Sequence, residues 1–185
     1  MLLKFKPFLL IGMLATSAMA LADGDPEKGK TWYGTCAACH GQAGEGNQAL
    51  NSPALAGQGA WYLKAQINKF KNGQRGAHPD DTYGAQMRPM AMTLASDEAV
   101  ADVAAYIATF EPVKVEATLD GDAAAGKALY GVCTACHGAN AEGNQALNAP
   151  SLKHTQDWYQ LTQLKNFKNR VRGGAAGDMT TNVNK

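Results

Sequence analysis

The sequence predicts an all-α fold of two tandem domains, and two observations support that prediction. The first is an internal repeat, in which the two halves of the chain match at a constant offset of 97 residues. The second is helical periodicity: Val100, Val103, Ala104 and Ile107 have the spacing of a helix that buries one face, and no segment shows sustained strand alternation. A chain of 185 residues is long enough for two small domains.

The repeat contains no gaps and extends over most of each unit. Residues 45–51 are identical to residues 142–148, and single positions also match, for example Tyr33 with Tyr130 and Arg75 with Arg172. We therefore predict one domain over residues 23–112 and a second over residues 113–185. The segment near 111–116, with a proline and several charges, suits a linker between them.

The N-terminus has the pattern of a secretory signal peptide over residues 1–22. Lys4 and Lys6 precede an apolar run at residues 8–15, which is too short to span a bilayer. Small residues at Ala20 and Ala22 predict cleavage before Asp23. The alternative is an uncleaved membrane anchor. No later run of the sequence is apolar enough for a transmembrane helix.

Each predicted helix of the first unit has its own boundary signal. Asp25 is a suitable N-cap and Pro26 suits the first helical position, so a helix is expected to run from there into Cys36. Asp122 begins the equivalent helix of the second unit.

A loop rich in Gly, Asn and Pro follows at residues 41–59, and a second helix is expected from Trp61 to near Gly73. Ser96 can cap a third helix, whose first turn contains the favourable acidic residues Asp97 and Glu98.

A Cys-x-x-Cys-His pentapeptide occurs once in each unit, at residues 36–40 and 133–137, and the two copies use all four cysteines. This spacing is the attachment signature of c-type haem, because two thiols three positions apart can each form a thioether to one porphyrin. The histidine that follows is then held where its imidazole can bind the iron. We therefore predict two covalent haems, attached through Cys36, Cys39, Cys133 and Cys136 and bound by His40 and His137.

Other uses of paired cysteines are a disulfide, a thioredoxin-like redox pair and a zinc site. A thioredoxin motif belongs to a βαβ pattern, which this sequence does not show. Zinc sites have no requirement for a histidine directly after the second cysteine. Haem attachment is the interpretation that uses every residue of the motif.

Charge excludes bulk attraction to nucleic acid, since the formal net charge is +1. It is unevenly divided, however. Residues 23–112 contain 7 Lys/Arg against 10 Asp/Glu, a net charge of −3, and residues 113–185 contain 8 against 6, a net charge of +2. This dipole can orient the protein on charged partners; ordinary solvated surface charge is the alternative interpretation.

Two tandem haem motifs, each with a preceding helix and a following Gly/Pro/Asn loop, resemble the diheme cytochromes c4. That resemblance covers nearly all of residues 23–185 and implies two class I cytochrome c domains, each wrapped around a covalent haem. It implies that Pro53 and Pro150 accept a hydrogen bond from the proximal histidines. It also implies that Met87, seven residues before Leu94, is the distal ligand of the first iron, with Met90 as runner-up.

The function that this resemblance implies is single-electron transfer, without enzymatic activity. The expected donor is a quinol-oxidising complex or a periplasmic dehydrogenase, and the expected acceptor is a terminal oxidase. The expected location is the periplasm, free or peripherally attached to its membrane. The other functions considered are a haem enzyme or small-molecule-binding protein, and a fixed subunit of a respiratory complex.

The repeat departs from the family pattern in the second unit. Met87 maps to Asn184, and the sequence ends before a counterpart of residues 89–110. An altered or incomplete C-terminus is one interpretation, and an open haem is the other. Met179 is the only methionine after the second haem motif. We expect either an open second iron or ligation by Met179, with His154 or a partner's side chain as further alternatives.

Overall fold

A computed structural model describes residues 24–173 together with Met179. The described residues form seven α-helices and two short 3₁₀ turns, and their extended pairing is limited to two isolated β-bridges. The predicted all-α fold is therefore confirmed. The predicted signal peptide at residues 1–22 lies outside the described residues.

The first unit contains four α-helices and a 3₁₀ turn. Helix α1 spans Pro26–His40, α2 spans Ala60–Lys71, α3 spans Thr82–Met92 and α4 spans Asp97–Ile107, with the 3₁₀ turn at Gln48–Leu50. The caps predicted for α1 and α4 are confirmed. The Asp25 carboxylate accepts from the amide N–H of Glu27, and the Ser96 hydroxyl accepts from that of Ala99.

Helix α3 was not predicted from the sequence. Gly84 and Pro89 lie inside it, and both residues disfavour helix interiors. The helix forms because Asp81, buried at its N-terminus, accepts hydrogen bonds from the amides of Gly76 and Gly84, both at 3.0 Å. A buried capping carboxylate therefore helps to fix a helix that the propensities of its interior residues do not indicate.

The core of the first unit lies where α4 crosses α1. Its buried apolar side chains include Tyr33, Ala37, Leu63, Leu94, Val100, Val103 and Ile107. The helices meet closely because Gly29 has no side chain: a β-carbon there would overlap the backbone of Asp102. The buried Asp102 carboxylate also accepts from the Asp25 amide at 2.7 Å, which fixes the start of α1 against α4.

The second unit repeats the first with fewer helices among its described residues. Helix α5 spans Ala123–Tyr130, α6 spans Thr134–His137 and α7 spans Asp157–Lys168, with a 3₁₀ turn at Gln145–Leu147. Within residues 113–173 no helix corresponds to α3 or α4. Leu129 and Val132 are 74% and 75% exposed, and the space around Gly126, the counterpart of Gly29, is open.

This difference in packing accompanies a break in the first helix of the second unit. The helix over 26–40 is continuous, whereas its counterpart stops at Tyr130 and resumes at Thr134. Short helices are marginal in water and gain most of their stability from tertiary packing. The helix that α4 covers is therefore the longer of the two.

The connection between the units has no regular secondary structure, and its end is bound to the second unit. The Asp157 carboxylate accepts from the Thr118 hydroxyl at 2.7 Å and from the amides of Thr118 and Leu119 at 2.6 and 2.9 Å. These hydrogen bonds, above all the one from the Thr118 hydroxyl, lower the pKa of Asp157 to about 2.

The repeat provides a matched test of the α1–α4 crossing. Gly29→Ala places a methyl group against the Asp102 backbone, so we expect it to lower the free energy of unfolding by about 2–4 kcal/mol. Gly126→Ala places the same group in open space and gains helix propensity of up to about 1 kcal/mol. Denaturant unfolding followed by circular dichroism measures both. Equal effects at the two positions would contradict this account of the crossing.

Candidate functional site

The first haem motif occupies the last turn of α1. Cys36 and Cys39 are one helical turn apart and both are half-buried free thiols, so they lie on the same face of the helix. His40 is the last residue of the helix and is buried. The helix thus presents two thiols and an imidazole to the same region of the first unit.

The orientation of His40 is fixed by the loop that follows. Its Nδ1 lies 2.8 Å from the carbonyl oxygen of Pro53. A carbonyl can only accept a hydrogen bond, so Nδ1 holds the proton and the lone pair is on Nε2. Burial lowers the pKa of His40, which favours the neutral ring. A neutral imidazole with a free Nε2 and an anchored Nδ1 fits an iron ligand.

The second haem motif repeats this geometry. His137 is buried at the end of α6, and its Nδ1 lies 2.8 Å from the carbonyl oxygen of Pro150. The thiols are more accessible than in the first unit, since Cys133 is half-buried and Cys136 is exposed. The contacts of Pro53 and Pro150 that the family resemblance implied are therefore present in both units.

A glutamate supports the loop after each motif, and the sequence analysis did not identify this role. The carboxylate of Glu45 accepts from the Ala43 amide at 2.9 Å, and that of Glu142 accepts from the Asn140 amide at 2.8 Å. Each carboxylate lies where a β-carbon on the glycine after the histidine would be. The identical Glu-Gly-Asn stretches of the repeat were the available signal.

The structure weighs against the other uses of the cysteines. The described residues contain no disulfide, no group of three or more His, Cys, Asp or Glu side chains arranged for a metal ion, and no strand of the kind that precedes a thioredoxin motif. A structural zinc site has four such donors around one point, and a catalytic site has three. The motif's own geometry fits a porphyrin bound by two thiols and one imidazole.

A cluster of paired polar residues lies between the units, and it also escaped the sequence analysis. The guanidinium of Arg75 donates to Gln66 in its own unit and to Tyr159 of the other, at 2.9 and 3.2 Å. The guanidinium of Arg172 donates to Gln163 in its own unit, and to Tyr62 and Gln66 of the first, at 2.6, 3.3 and 2.9 Å. We call these six residues the arginine cluster; its members are related by the repeat offset.

The arginine cluster fits the carboxylate groups that a haem brings. Both guanidiniums are buried over phenylalanine rings, and their hydrogen-bond acceptors among the described residues are neutral oxygens. The Nε of Arg75 is buried with no hydrogen-bond partner. Burial, followed by the charge of Arg172, lowers the pKa of Arg75. The charge of Asp81 acts on Arg172, but neither guanidinium has a hydrogen bond to a carboxylate among the described residues. Two such buried cations favour an anionic group, and haem propionates have the required charge.

The candidate distal ligands lie apart from the motifs in sequence. Met87 is half-buried in α3, whereas Met90 and Met92 of the same helix are 40% and 60% exposed. Met179 is half-buried. His154 lies against Gly57 of the first unit, with its Nδ1 3.1 Å from the carbonyl of Val113 in the connection.

No helix among the described residues is long and apolar enough to cross a membrane.

Known proteins resemble this chain in sequence and in structure. The cytochrome c family model matches residues 26–111 and 123–185. Cytochrome c4 of Azotobacter vinelandii is 33% identical over 181 residues, which cover 92% of this chain and 85% of that protein. The thiosulfate dehydrogenase electron acceptor of Thiomonas intermedia is 33% identical over 151 residues, covering 76% and 65%. The crystal structure of reduced cytochrome c4 from Pseudomonas stutzeri has a TM-score of 0.68 at 29% identity, covering 88% of this chain and 90% of that chain.

Each motif is expected to attach its own haem. In the double variant Cys36→Ala/Cys39→Ala the first unit loses both of its thioether positions, so we expect one haem fewer by mass spectrometry of the denatured mature protein. Cys133→Ala/Cys136→Ala is the matched variant and should remove the haem of the second unit instead. An unmodified protein with one haem or none would contradict this assignment.

Proposed function

The chain belongs to the diheme cytochromes c4 within the cytochrome c family, binds two covalent haems and carries electrons, and from that premise we propose its ligands, location and partners. We place it in the periplasm, free or peripherally attached to the membrane. There it passes single electrons from a quinol-oxidising complex or a dehydrogenase to a terminal oxidase. Its domains are residues 23–112 and 113–185, after removal of residues 1–22.

The observation that supports the ligand assignment best is the anchored imidazole of each unit. His40 and His137 both have Nδ1 fixed at 2.8 Å from a proline carbonyl, and both directly follow the second cysteine of a haem motif. We assign them as the proximal ligands. An iron ligand that stays neutral and keeps one orientation changes little between oxidation states, which favours rapid electron exchange.

The haem supplies a metal that takes up and releases one electron. The protein's own residues hold the haem and fix the backbone next to it. The cysteines would hold the porphyrin by two covalent bonds per unit. Tyr33 and Tyr130 donate to the carbonyls of Gly41 and Gly138, at 2.6 and 2.8 Å, and so fix the backbone just after each histidine. The arginine cluster provides positive charge for propionates at the domain interface.

Met87 is the proposed distal ligand of the first iron. Among the three methionines of α3 it is the least exposed, which suits a residue that faces a buried group. A thioether opposite the histidine raises the reduction potential and closes the iron to small molecules.

The assignment of Met87 can be separated from that of Met90 by two variants. Met87→Ala should abolish the long-wavelength absorption band of the thioether–iron bond in the first haem and lower that haem's potential in a redox titration. Met90→Ala, at an exposed position of the same helix, should leave both unchanged. The opposite result would move the ligand to Met90.

Met179 is the proposed distal ligand of the second iron, since it is the only methionine of the sequence after the second motif. The rival is an open iron that binds or reduces a small molecule. The exposure of Leu129 on α5 and of Val132 just after it favours that rival, because less protein covers the second unit there.

Carbon monoxide distinguishes the electron carrier from the rival. If Met179 ligates, the oxidised protein should show the thioether–iron band of both haems, and the reduced protein should bind no carbon monoxide. The two haems should titrate in two reversible one-electron steps. Met179→Ala should then open one haem to carbon monoxide and lower its potential. Carbon monoxide binding by one haem of the unmodified protein would instead establish an open second iron.

The choice of partners is supported by charge and by one relative. The predicted dipole, −3 on residues 23–112 and +2 on residues 113–185, provides two faces of opposite sign for two charged partners. The relative from Thiomonas intermedia is named as the electron acceptor of a dehydrogenase. A dehydrogenase donor is thus proposed beside the quinol-oxidising complex.

A further inference from the structure

A chain of hydrogen bonds connects the proximal histidine of the first unit to a glutamine of the second. The Nδ1–H of His40 donates to the carbonyl of Pro53 at 2.8 Å. The N–H of the same peptide group, on Ala54, donates to Oε1 of Gln156 at 2.9 Å. The Nε2 of Gln156 in turn donates to the carbonyl of Glu45 at 2.9 Å. Both contacts of the Gln156 amide are with the loop that supports His40.

A peptide group that donates through its N–H is a stronger acceptor at its carbonyl, because hydrogen bonds in a chain polarise one another. The amide oxygen of Gln156 therefore strengthens the hydrogen bond that His40 gives to Pro53. A stronger bond at Nδ1 makes the imidazole more basic at Nε2. A more basic ligand stabilises the ferric iron and lowers the reduction potential.

The second unit has no equivalent chain. The repeat offset pairs Gln156 with Gly59, which has no side chain to reach across. The side chain of the first unit that reaches the loop after the second haem motif is Gln58. Its Nε2 donates to the carbonyl of Ser151 at 3.0 Å and to the Thr155 hydroxyl at 3.1 Å. The Ser151 carbonyl belongs to the peptide group after the one that accepts from His137. The described residues supply no side-chain acceptor to the Ser151 N–H.

We propose that Gln156 of the second domain is a positioning residue for the first haem: it polarises the peptide group between Pro53 and Ala54 and thereby lowers the first haem's potential and not the second's. This proposal rests on the assignment of His40 as proximal ligand. It makes one domain a determinant of the other domain's redox potential.

The test uses the full diheme protein and the variant Gln156→Met, which keeps the length of the side chain and removes the amide. In the reduced protein, the Nδ1–H proton resonance of His40, assigned through its contacts with Pro53, should move upfield. In a titration followed by each haem's own methyl resonances, the first haem's potential should rise and the second's should stay unchanged.

The matched control is Gln58→Met, which removes a cross-domain amide of the same interface without touching the Pro53 peptide. It should leave the His40 resonance and the first potential unchanged. If Gln58→Met shifts them as far as Gln156→Met does, loosening of the interface is the cause and the proposal is wrong. It is also wrong if Gln156→Met shifts neither while both haems remain attached. Failure to attach haem or to titrate reversibly would contradict the proposed function instead.

Discussion

Both haem sites depend on one hydrogen bond, from the ring Nδ1–H of the motif histidine to a proline carbonyl 13 residues later. This bond selects the tautomer whose Nε2 can bind iron, and it sets the plane of the ring. The carbonyl must therefore keep its position, and much of the loop between histidine and proline serves that purpose. The Glu45 carboxylate fixes the start of the loop, and the bridge between Asn47 and Ser52 fixes its end.

The two units surround this shared element with different amounts of protein. In the first unit, α4 crosses α1 at Gly29, and the buried side chains of Val100, Val103 and Ile107 form a core beside the motif. The described part of the second unit has no such crossing, and Leu129 is largely exposed. A unit with a small core of its own relies more on its cofactor and on its neighbour for stability. The arginine cluster and the contacts of Gln58 and Gln156 join the second unit to the first.

The sequence was sufficient to predict most features that depend on residues close together in the chain. The haem motifs, the caps at Asp25 and Ser96, and the periodicity of α4 were all readable, because each depends on residues close together in the chain. Helix α3 was missed because the glycine and proline inside it oppose a helix, although its cap at Asp81 is also local. Contacts such as that between Ala54 and Gln156 join positions 102 residues apart, and no local pattern indicates such a pair.

The repeat also distinguishes the features that affect both haem potentials similarly from those that affect only one. The arginine cluster is related to itself by the offset of 97, so its charge acts on both units in a similar way. A difference in potential between the haems must then come from contacts that lack a counterpart. Two features lack a counterpart. The repeat pairs Gln156 with Gly59, and no helix of residues 113–173 corresponds to α4. Polarisation by Gln156 favours oxidised iron in the first unit, whereas cover by α4 excludes water there and favours reduced iron. If both irons have a thioether ligand, the order of the two potentials therefore depends on the balance between one hydrogen bond across the interface and one packed helix.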